Sequence, residues 1–76
     1  MNYLVVLEEK ELGFRAYLPD LPGCTVIGAK HEEVLRLIRQ AVILHIRALR
    51  DKGMPVPRPK SFGEVVRANG NGGSIV

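Results

Sequence analysis

The sequence predicts an α+β fold, an antiparallel sheet of three to four strands packed under one long helix in the order βββα(β). Three observations predict it. Apolar, β-prone residues from Tyr3 to Leu7 and the alternation Phe14, Ala16, Leu18 flank a polar stretch ending in Gly13, the pattern of a hairpin. A third short apolar run, Cys24 to Ile27, follows a turn rich in proline and glycine. From about His31 to Lys52 the apolar residues then recur at helical spacing, with no Pro or Gly to interrupt them.

Each element has its own local chemistry. Gly13 is able to adopt the positive φ that a tight hairpin needs near its end. In Pro19-Asp20-Leu21-Pro22-Gly23 the prolines fix φ and remove donors, so the second strand must stop there, and Asp20 is expected to cap its own turn. Gly28 closes the third strand. Projected at about 100° per residue, Val34, Leu35, Leu37, Ile38, Ala41, Val42, Leu44, Ile46, Ala48 and Leu49 fill an apolar arc of roughly 200°, about twice what one sheet face covers. Gly53 stands where a helix C′ glycine belongs. Beyond it Pro55, Pro57 and Pro59 force an extended run. Ser61 is expected to cap one or two helical turns through Arg67, and after the glycine-rich stretch Ser74-Ile75-Val76 to form a short terminal edge strand.

With 76 residues, 46% of them apolar, the chain is one small domain. Residues 1–60 carry its core and 61–76 its short helical turn, tail and terminal strand. A chain of this length buries only about 60% of the surface its unfolded form exposes, and the wide apolar arc of the helix asks for further cover. A homodimer is therefore expected. Cys24 is the one cysteine, which excludes an internal disulfide and suits a reducing cytoplasm. Neither a signal peptide nor an apolar run approaching the ~20 residues of a membrane span is present. The formal charge is +3, which permits nucleic acid or acidic partners without requiring them.

The hairpin, the loop Pro19-Asp20-Leu21-Pro22-Gly23-Cys24, Gly28 before the helix, Glu33, Ala41, and Gly53 followed by Pro55, Pro57 and Pro59 together resemble the HicB antitoxin family over residues 1–60. The resemblance implies a partial RNase H-like βββαβ domain that binds and inhibits a small HicA-type mRNA endoribonuclease. It departs from the family in three places. Lys30 replaces the usual Thr or Ser at the helix N-cap. No C-terminal DNA-binding segment is expected, and the net charge is basic where the partner of a basic toxin should be acidic.

Candidate chemistry is sparse. Metal-dependent nuclease action needs several converging carboxylates, yet Asp20 and Asp51 are the only aspartates, and Glu8, Glu9 and Glu11 crowd one solvated hairpin. Cys24, His31 and His45 lack the paired spacing of a metal set, so Cys24 reads as a buried hydrophobe and His45 as a half-buried core or interface residue. No catalytic residue, metal or cofactor is assigned, and the chain is not expected to be an enzyme. The strongest positive feature is Arg36, Arg39, Arg47 and Arg50, which lie within roughly 80° on the other side of the helix and form the candidate partner-binding face. A protein surface or, alternatively, nucleic acid could meet it. Glu32 and Glu33 are expected to neutralise part of it through pairs with Arg36.

Overall fold

The computed structural model describes residues 1–68. Three strands, β1 (Val6–Lys10), β2 (Gly13–Tyr17) and β3 (Thr25–Gly28), precede one helix, α1 (His31–Asp51). The sheet is an antiparallel meander in the order β1-β2-β3, so the predicted βββα arrangement is present. Ser74-Ile75-Val76, expected as a terminal strand, lies outside the described residues.

The first strand begins later and runs further than its apolar stretch implied. Glu8, Glu9 and Lys10, read from sequence as loop, pair with Arg15, Phe14 and Gly13. Their polarity is tolerated because one sheet face is open to water: Glu8 Oε1 accepts a hydrogen bond of 2.7 Å from Arg15 and lies 3.4 Å from Lys10 Nζ. Such exposed pairs contribute little energy but they favour one register. Only Glu11 and Leu12 remain to make the turn. Gly13 has φ +154°, and a Cβ there would run into the Gly28 carbonyl oxygen of the neighbouring strand. Gly13→Ala should therefore cost about 1–3 kcal/mol, read as a lower urea midpoint with an unchanged slope.

The core is small and aliphatic. Ala16, Leu18, Leu21, Cys24, Val34 and Ile38 are buried, and Tyr3, Val5, Leu7, Phe14 and Val26 pack around them from the sheet side. Helix α1 approaches β2 and β3 but not β1. The loop between β2 and β3 is tied by Leu18 N–H to Cys24 O at 3.2 Å and Leu21 N–H to Leu18 O at 3.2 Å, which seats Leu21 fully inside.

Both helix ends follow from sequence. Lys30 is the N-cap and contributes no side-chain hydrogen bond, while Glu33 Oε1 accepts from the Ala29 N–H at 2.9 Å. Glu33 thus ties the residue just before the N-cap, one position outside the N–H that a capping box uses, and does not make the predicted pairing with Arg36. At the other end Gly53 has φ +70°, Gly53 N–H donates to Arg50 O and Met54 N–H to Leu49 O, the paired bonds of a Schellman motif.

Ser61 does not start a helix; Ser61 to Arg67 carry no regular structure. The physical reason is Asp20. Its carboxylate caps no turn of its own but accepts from Lys60 N–H at 2.8 Å, Ser61 N–H at 2.7 Å and Ser61 Oγ–H at 2.8 Å. The hydroxyl expected to cap a helix is consumed by this clasp. Tyr3 adds a second tie, its hydroxyl donating to the Pro57 carbonyl. With the path between these ties extended, replacing Pro55, Pro57 and Pro59 by glycine should lower stability by about 0.4–1 kcal/mol each through the unfolded chain's added freedom, visible as a lower melting midpoint.

Candidate functional site

The four arginines singled out from sequence are all exposed along α1. Helical geometry makes them a row: Arg36, Arg39, Arg47 and Arg50 recur at spacings of three and eleven, close to whole turns. Among the described residues the ion pairs are those of Glu8 with Lys10 and Arg15, so none of the four arginines is neutralised in this way. Ile43 sits in the same row and is 59% exposed.

The row borders an open groove that sequence reasoning did not find. Because α1 leans over β2 and β3, a trough remains between its Val42–Ile46 flank and the N-terminal residues Met1, Tyr3 and Val5. Ile38 and Leu18 lie at one end, and Arg39, Arg47 and Arg50 stand along its wall. A periodicity plot shows a wide apolar arc but not which sheet edge the helix leaves bare. That edge was the missing information.

The opposite sheet face has a different character. Arg15 lies 4.4 Å above the Tyr17 ring centroid while bonding Glu8. The Arg15 hydrogen bond, then Lys10, hold the Glu8 carboxyl below the usual carboxylate range. Asp20 is also lowered, first by the Lys60 N–H and then by Ser61. Ile27 emerges beside this face, 76% exposed.

The other candidates are structural. Cys24 is buried and burial pushes its thiol pKa up, the reverse of what a nucleophile needs. His31 is exposed and meets Phe14 edge to face with ring centroids 5.7 Å apart; His45 is half-buried. Among the described residues no three His, Cys, Asp or Glu side chains converge to hold a metal ion, and no helix is long and apolar enough to cross a membrane.

A family model described as the HicB-like antitoxin of bacterial toxin–antitoxin systems matches residues 3–76. The chain belongs to the HicB-like antitoxin family. A UPF0150 protein of Synechocystis is 42% identical over 59 residues, 75% of this chain and 73% of the relative. A UPF0150 protein of Helicobacter pylori is 42% identical over 41 residues, 54% of this chain and 57% of that protein. In solved structures, a chain of a HicA3 and HicB3 toxin–antitoxin complex superimposes with a TM-score of 0.67 at 32% identity, over 78% of this HicB-like chain and 70% of the other. The features quoted for the resemblance thus mark a real family membership. In this HicB-like domain the two most distinctive ones, the Pro19–Cys24 loop and the proline-rich exit, meet at Asp20 and Lys60.

Proposed function

We propose that this HicB-like domain is an antitoxin, or an antitoxin-derived interaction module, that binds and inhibits a HicA-type mRNA endoribonuclease in the cytoplasm. The likeness to a chain solved within a HicA3 and HicB3 complex carries this reading. Inhibition by masking needs a rigid platform and a sizeable interface, with no catalytic group, and it suits a surface built of an arginine row and an open sheet face. Residues 1–60 supply that platform. The helix row Arg36, Arg39, Arg47 and Arg50 is the part we assign to partner contact.

Titrating the purified domain into an RNA-cleavage reaction of a HicA-type toxin tests the proposal. Cleavage should fall to background near equimolar ratio and the two chains should co-elute; undiminished cleavage at a hundredfold excess would overturn it. Because the arginine row lacks ion-pair partners, binding of nucleic acid through it is the competing reading. It predicts retardation of RNA or DNA that weakens steeply with salt and disappears in Arg39→Glu/Arg47→Glu.

The domain itself should cleave no RNA in magnesium or manganese. Metal-dependent cleavage lost in Asp20→Ala would contradict this, since that carboxylate is engaged with Lys60 and Ser61.

A further inference from the structure

The groove beside α1 has a complementary segment on the same chain. Its wall and floor include Tyr3, Val42, Ile43 and Ile46, bordered by Arg39, Arg47 and Arg50 against the lone acid Asp51. The segment Phe62-Gly63-Glu64-Val65-Val66 leaves the domain with Phe62 83%, Val65 100% and Val66 81% exposed. Three large apolar side chains at nearly full exposure are costly for a soluble chain and mark a surface that meets something. Its one charged residue, Glu64, is opposite in sign to the groove's border.

None of the arm's residues, 62–66, lines the groove of its own molecule. Pro57 passes Tyr3 at the groove's edge, but the Asp20 clasp then holds Lys60 and Ser61 at the turn after β2. The next contact is Gly63 beside Leu4, where a Cβ would lie 3.5 Å from Leu4 Cδ1. Tyr3, Val5 and Leu7 pack on the core, whereas Leu4 is neither a core-packed residue nor a groove-lining one. Within one molecule these contacts hold the arm at the turn after β2 and beside Leu4, off the groove.

We propose that the groove receives residues 62–66 of a second copy of this chain, and that the reciprocal exchange of two such arms makes a closed homodimer. Phe62, Val65 and Val66 of one copy cover Val42, Ile43 and Ile46 of the other, and Glu64 faces Arg47 and Arg50. Donor and acceptor are present in equal number, so the exchange closes on itself and leaves no free end to propagate. Both copies keep the Asp20 clasp, which presents each arm at a fixed place and reduces the entropy lost on docking.

Sedimentation equilibrium on the full chain tests this exchange independently of any toxin. The wild type at micromolar concentration should sediment near twice its 8.4 kDa monomer mass. Val65→Asp/Val66→Asp should sediment as the monomer with an unchanged far-ultraviolet spectrum, since both side chains lie outside the fold. Glu64→Arg should raise the dissociation constant at least tenfold, and adding Arg47→Glu/Arg50→Glu should restore most of that loss. A monomeric wild type at 100 μM would overturn the proposal. So would a dimer that persists in Val65→Asp/Val66→Asp, because the groove's occupant would then be something other than the arm.

Discussion

Replacing Ile38 by alanine is expected to destabilise the domain by about 2–5 kcal/mol, the largest effect of any single truncation in α1. Ile38 has no exposed surface and, with Val34, is one of the two helix residues among the six buried apolar side chains of the described residues. A cavity there has few buried neighbours able to fill it, since among the other buried apolar residues only Leu18, Leu21 and Val34 have branched side chains. Total stability for small domains lies near the low end of about 5–15 kcal/mol, so Ile38→Ala should be largely unfolded at 37 °C. Leu44→Ala is the matched control: that side chain is 61% exposed, and its loss should change the urea midpoint by no more than about 0.5 kcal/mol in equivalent stability. Equal effects from the two substitutions would mean that the helix is seated differently on the sheet.

Replacing Asp20 by asparagine should release the C-terminal segment. The carboxylate accepts three hydrogen bonds from Lys60 and Ser61, two of them at one oxygen, and an amide there loses the negative charge that makes such bonds roughly twice as strong as neutral ones. The Lys60–Ser61 peptide bond is the reporter, because trypsin cuts after lysine but is blocked at Arg58 by the following Pro59. Slow cleavage at Lys60 in the wild type should become rapid in Asp20→Asn. The same group shapes the acid response. Its folded pKa is lowered by the Lys60 N–H and then by Ser61, against the opposing effect of desolvation. The stability it supplies is therefore complete above the unfolded-state value of about 3.9 and is lost as pH falls through the folded value. As pH falls below that unfolded-state value the wild type should lose protection at the Lys60 and Ser61 amides, read by hydrogen exchange, while Asp20→Asn should show weak protection at every pH.

What could be read from sequence was whatever local chemistry determines. The span from His31, the Schellman end at Gly53 and the break at Pro19 each depend on residues within one or two turns, and each stands where the sequence placed it. Leu21 and Asp20 show the limit. Both lie in a loop, and nothing nearby announces that one fills the core or that the other bonds a segment 40 residues on. Ser61 looked like the start of a helix for the same reason, its hydroxyl's true acceptor being remote in sequence. Glu8 to Lys10 were misread because polar residues are acceptable in a strand whose outer face is wet. The exposed alignment of the four arginines was legible from helical spacing alone, whereas the groove beside it depends on which strand the helix leaves uncovered.

The clasp at Asp20 also determines how the molecule carries a mechanical load. Tension applied to the C-terminal end is transmitted at Ser61 straight into the turn that follows β2, 41 residues earlier in the chain. Until those hydrogen bonds part, β3 and α1 lie off the line of force, enclosed in a slack loop. A machine pulling from that end therefore meets its first resistance at one residue, and once Asp20 lets go, the Tyr3 tie to Pro57 takes the load before the helix does.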